Sequence, residues 1–75
     1  MDTLDASLAE VVKTAIADAD LNGKAVSSLI GLPYSTWRRK AAGLSSFSMQ
    51  ELHRVAKVLG VKVAGLVADA ERKLG

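Results

Sequence analysis

The chain is 75 residues long, has no cysteine, and carries ten Lys and Arg against eight Asp and Glu, for a net charge of +2. That length supports one hydrophobic core close to the size at which stability becomes marginal, and the absence of cysteine excludes a disulfide framework or a thiolate metal site. No apolar run reaches the roughly 18 residues of a membrane span, and the acidic opening MDTLDASLAE is unlike the basic start of a secretory signal, so a cytosolic location is expected.

Charge is unevenly placed. Residues 1–20 carry Asp2, Asp5, Glu10, Asp18 and Asp20 against Lys13, a net of −4, whereas residues 21–62 carry seven basic groups against Glu51, a net of +6. The footprint of a polyanion would therefore lie on the middle of the chain. From Leu4 to Ala19 the apolar residues Leu4, Leu8, Val11, Val12, Ala15, Ile16 and Ala19 follow the spacing of one helical stripe. Asp2 or Thr3 can cap this first helix, and Asp5 suits the positive end of its dipole. The link Asp18 to Gly23 matches the opening of a calcium loop, D-x-D-x-N-G, but the twelfth position, which needs a bidentate Glu, is Leu29. Asn22 is read instead as the cap of the next helix.

A second helix is expected from about Gly23 to Ile30, with Val26, Leu29 and Ile30 apolar. Gly31 stands where a left-handed cap is wanted, and Pro33 stops helix two and presets the first turn of helix three. The third helix, Pro33 to Ala42, has Trp37 as its apolar anchor among Tyr34, Ser35, Thr36, Arg38, Arg39 and Lys40. After Gly43 and a short loop, Ser48-Met49-Gln50-Glu51 forms a capping box, with Phe47 and Leu52 as a hydrophobic staple. Helix four then places Met49, Leu52, Val55, Ala56 and Leu59 on one face and stops at Gly60. Val61, Val63, Leu66, Val67, Ala70 and Leu74 mark a fifth helix from about Val63 to Leu74. The fold class expected is all-α: five short helices in one compact domain over residues 1–75.

The stretch from Asn22 to Gly43 brings two short helical patterns together at a Gly-Leu-Pro corner, the second of them basic and rich in hydrogen-bonding groups. That is the outline of a helix-turn-helix DNA reader. Over roughly residues 22 to 67 the chain resembles the helix-turn-helix domains of the lambda-repressor and Cro type. Ser27, Gly31 and Trp37 occupy the small, turn and buried apolar slots of that motif, and Gly43, Phe47-Ser48-Met49-Gln50-Glu51-Leu52 and Val55 to Val61 are similar to its downstream helix and closing Leu-Gly-Val. The chain departs from the pattern twice. Gly23 stands where members usually have a phosphate-gripping Gln, and Lys40 stands where many have a buried Ile or Leu.

The resemblance implies that helix three enters the major groove, with Tyr34 and Ser35 at base-touching positions and Arg38 and Arg39 one turn further on. An arginine offers two parallel donors to guanine O6 and N7, Ser35 a single adaptable contact, and Tyr34 a hydroxyl or a ring edge against a thymine methyl. The phosphate contacts expected are Asn22, Lys24, Thr36, Lys40, Ser45 and Ser46; Asn22 and Lys24 sit at a helix N-terminus that already favours an anion. The blander alternatives are a solvated basic face for Arg38 to Lys40, a turn cover for Tyr34, and ordinary turn formers for the two serines; for Trp37, read as core, the alternative is partial exposure to sugar-phosphate.

His53 is the only histidine and has no partner at metal-ligand spacing, so no metal, cofactor or small-molecule ligand is expected. No nucleophile or phosphate-loop motif points to an enzyme. The function expected is that of a sequence-specific double-stranded DNA-binding regulator, a phage-type repressor acting on an operator in the cytoplasm of a bacterial or phage-infected cell, at the nucleoid. A domain this small buries limited surface on DNA, so a homodimer on two half-sites is implied. Leu66, Ala70 and Leu74 are the candidate dimer contacts, and they equally fit closure of the monomer core. The competing readings are an antitoxin, a recombination accessory factor, or a protein-interaction module with a basic face.

Overall fold

The Thr3 hydroxyl accepts the Ala6 backbone N–H at 3.2 Å and opens α1 (Leu4–Asp18). The computed structural model describes residues 3–75, so Asp2, the other candidate cap, lies outside the described residues. The chain leaves α1 through Asp20, which takes a left-handed φ of 61°, a conformation for which Asp is among the more tolerant side chains. Asn22 then caps α2 (Gly23–Ile30) by accepting the Ala25 N–H at 2.8 Å. The corner that follows is built from backbone hydrogen bonds. Gly31 adopts φ 77°, and the Leu32 N–H reaches back to the Ser27 carbonyl at 2.9 Å, the paired-bond ending that requires a left-handed residue. Pro33 leads directly into α3 (Tyr34–Ala41).

The Ser48 capping box forms as expected: its hydroxyl accepts the Glu51 N–H while Glu51 Oε1 accepts the Ser48 N–H, starting α4 (Met49–Leu59). After Gly60 the chain enters α5 (Val63–Leu74), which packs back chiefly along α1. Leu52, Val12, Val26 and Val55 are the largest side chains wholly removed from water, so α1, α2 and α4 all reach the centre of the core. Removing such aliphatic surface from water is the main favourable term in a domain without staples.

The structure differs from some of these expectations. Of the apolar residues that mark the helices in the sequence, Leu4 is 41% exposed and Leu29 and Met49 are 66% exposed each. The buried arc of α2 runs through Val26, Ser27 and Ile30, and Leu29 falls outside it because the small Ser27, not a second leucine, faces inward. Met49 is the first residue of α4 and precedes the turn that meets the core. In α5, Leu66 and Ala70, candidate dimer contacts, are buried within the monomer, and of the three candidates Leu74 alone stays exposed. Among the described residues no helix is long and apolar enough to cross a membrane.

Candidate nucleic-acid interface

Helix α3 has two unlike sides. Trp37 is 3% exposed and meets the Phe47 ring edge-on, with centroids 5.4 Å apart and planes at 62°, a preferred aromatic geometry. Ala41, one turn on, completes the inward side. Tyr34, Ser35, Arg38 and Arg39 are all exposed. Their spacing places Ser35 within a turn of both arginines and Tyr34 within a turn of Arg38, so they form one continuous outer face. Ser35, Arg38, Arg39, Ala42 and Leu44 line a shallow recess there. Neither arginine is engaged by an ion pair among the described residues. Thr36 is half-buried at the edge of this face.

The expected phosphate contacts divide. Lys24 is exposed at the start of α2, with its side chain outside every ion pair among the described residues. Asn22 uses its carbonyl oxygen as the α2 cap. Ser46 donates to Asp5 at 2.7 Å, which brings a carboxylate from the acidic α1 against the loop after α3. Ser45 is half-buried in the same loop.

Lys40 departs furthest from its expected role. Its ammonium lies 2.5 Å from Glu51 Oε1, with only 15% and 16% of the two side chains exposed. In a slot that suits an apolar residue, the lysine buries its methylene stem and turns its charge to an internal carboxylate. Burial alone would raise the Glu51 pKa. The hydrogen bonds from Lys40 and the Ser48 N–H, with the Lys40 charge and the Ser48 hydroxyl, outweigh burial and hold the carboxyl below its ordinary 4.5.

Two further contacts position the motif, and neither is announced by local sequence. Arg54 of α4 donates to the Ile30 carbonyl at 3.4 Å, at the end of α2. Gly23 lies against Trp37 so closely that a Cβ at that position would overlap Nε1 and fall 3.2 Å from Cδ1 and 3.4 Å from Cε2. The missing Gln side chain of the lambda-type pattern thus has a steric reason: the indole takes its space. Ser27 is buried, and its hydroxyl donates to the Lys24 carbonyl at 2.8 Å, so the small-residue slot is filled without an orphan polar group. Among the described residues no group of three or more His, Cys, Asp or Glu is placed to hold a metal.

A family model described as the BetR domain matches residues 5–74, nearly the whole chain. The chain belongs to the BetR domain family. This BetR domain is also similar to the crystal structure of the clp gene regulator ClgR from Corynebacterium glutamicum, with a TM-score of 0.91 over 96% of this chain and 77% of that one, at 18% identity. At that identity the likeness establishes the five-helix, all-α fold. No curated protein matches this chain significantly.

Proposed function

We propose that this BetR domain is a sequence-specific double-stranded DNA-binding transcription regulator, a repressor of phage type that acts at an operator on the bacterial nucleoid. The observation that carries the reading is the outer face of α3. Tyr34, Ser35, Arg38 and Arg39 are contiguous and exposed, and the arginines lack counter-charges among the described residues, while Trp37 on the opposite side fixes the helix to the core. A basic helix held rigidly and projecting polar groups outward suits the major groove, where each base pair shows a distinct donor and acceptor pattern. The fold likeness to a protein named as a gene regulator supports the same direction.

In this reading Arg38 and Arg39 read bases, with Tyr34 and Ser35 beside them. Lys24 and the start of α2 hold backbone phosphate, which sets register without carrying sequence. Lys40 acts indirectly, by fixing α3 to α4 through Glu51. The protein binds as a homodimer, each copy placing one α3 in a half-site; the longest extent of the domain, 32 Å, is close to one turn of duplex, so neighbouring copies can touch.

Selection of bound duplexes from a random pool tests the proposal. The expected result is a motif with two-fold symmetry and half-sites about one helical turn apart. An unenriched pool would overturn the reading.

A further inference from the structure

The indole N–H of Trp37 has no acceptor within hydrogen-bonding distance among the described residues. The side chain is 97% buried, given its 3% exposure, yet no buried side-chain nitrogen or oxygen is left sealed and unpaired. Nε1 is therefore at the surface edge of an otherwise enclosed ring, able to reach something outside. It also has a defined neighbourhood. A Cβ on Gly23, the first residue of α2, would overlap Nε1, so the nitrogen borders the bare backbone there. The first turn of that eight-residue helix leaves the Gly23 and Lys24 N–H groups without intrahelical partners, because Asn22 caps Ala25 and the first backbone bond belongs to Val26.

We infer that Trp37 is an anion-binding residue: its indole N–H, the free Gly23 and Lys24 N–H groups and the Lys24 ammonium form one seat for a phosphodiester oxygen of duplex DNA. The inference rests on the proposed DNA-binding function and adds a specific donor to it. Two free N–H groups at a helix N-terminus, with an indole N–H beside the first of them, suit a tetrahedral oxyanion, which accepts several bonds at once and is favoured there by the helix dipole. Glycine at position 23 serves this seat twice, by admitting the ring and by leaving backbone open to the ligand. Trp37 thus couples the core to the contact surface. Its packing against Phe47 anchors α3, and its nitrogen meets the phosphate, so groove entry and backbone register are set by one side chain. Asp18 and Asp20 precede the seat in sequence, so free phosphate is expected to bind weakly, and tight occupancy requires the other contacts of a duplex.

The chain has one tryptophan, so its indole N–H gives a single, unambiguous NMR cross-peak. The test is to follow that peak and the backbone amides of residues 34–39 while adding a duplex, then, separately, inorganic phosphate against chloride at matched ionic strength. A downfield, saturable shift of the indole proton with duplex, slowed exchange with solvent, and a smaller shift in the same direction with phosphate support the seat. Backbone amides that move while the indole peak stays still would overturn this inference and leave DNA binding standing. A shift with phosphate but no response to any duplex would uphold the seat and remove the DNA-binding reading. Silence in both titrations would overturn both. Trp37→Phe, checked for folding by denaturant, is expected to weaken binding about three- to tenfold, the worth of one hydrogen bond, and equally for all duplex sequences.

Discussion

One Glu51 carboxylate oxygen accepts both the Lys40 ammonium, at 2.5 Å, and the Ser48 backbone N–H, at 2.8 Å. The last turn of α3 is thereby tied to the first turn of α4, and the setting of the outer face of α3 depends on a charge it does not display. Removing either partner leaves a mostly covered charge without its mate. Glu51→Gln and Lys40→Met are each expected to lower unfolding free energy by about 1–3 kcal/mol, measured by urea denaturation. The double variant should lose less than the sum of the two, because the residues share one interaction. Full additivity would show that the pair is not coupled.

The same carboxylate sets a pH dependence. Its folded pKa lies below the ordinary 4.5, so its contribution to stability is fully present above that ordinary value and is lost as pH falls through the lower, folded value. The stability difference between the native protein and Glu51→Gln is expected to be level from neutrality down to about pH 5, then to shrink on further acidification. A gap that widens with acid would contradict the sign.

Gly23→Ala introduces a methyl group against Nε1 of the Trp37 indole. The ring is 3% exposed and also packs against Phe47, so it has little room to move. Overpacking of this kind costs about 1–3 kcal/mol. Tryptophan fluorescence, which reports this ring alone, should change in the folded state as well. An alanine variant of unaltered stability and emission would mean that the ring yields freely.

Arg39→Ala and Lys24→Ala separate reading from holding. The arginine variant is expected to lose about 1–3 kcal/mol of affinity for its preferred duplex and to relax specificity at one base pair. The lysine variant is expected to weaken all duplexes alike and to reduce the salt slope by about one. Binding isotherms on matched and mismatched duplexes at several salt concentrations distinguish them; a uniform loss for Arg39→Ala would make it a phosphate contact.

Leu66→Ala is expected to cost about 2–5 kcal/mol of monomer stability because the side chain is enclosed between α5 and the rest of the core. Leu74→Ala, at an exposed position, should change stability by no more than about 0.5 kcal/mol. Thermal unfolding at two protein concentrations checks both. A concentration-dependent loss for Leu66→Ala would return that residue to an interface between copies.

The helices and their ends were legible because they follow from local chemistry. Thr3, Asn22 and Ser48 each accept an N–H three residues ahead, and the Gly31 turn closes within six residues, so the deciding groups are adjacent in sequence. The outer face of α3 was legible for a similar reason, since helical period alone groups Tyr34, Ser35, Arg38 and Arg39. What was hidden depends on tertiary placement. Nothing near Lys40 announces Glu51, Ser46 meets Asp5 across 41 residues, and the contact of Gly23 with Trp37 exists only once α2 and α3 are folded together. Leu29 and Met49 show the converse: an apolar residue at the margin of a stripe is buried only if a neighbouring element arrives to cover it.

The claim that α3 reads sequence is tested most directly by competition. A duplex recovered by selection and a scrambled duplex of the same composition would compete for the protein at physiological salt. The expected outcome is a preference on the order of 10³-fold or more for the selected duplex, greatly reduced when Arg38 and Arg39 are both replaced by alanine. Equal competition by the scrambled duplex would contradict the claim, leaving α3 a basic surface without a code.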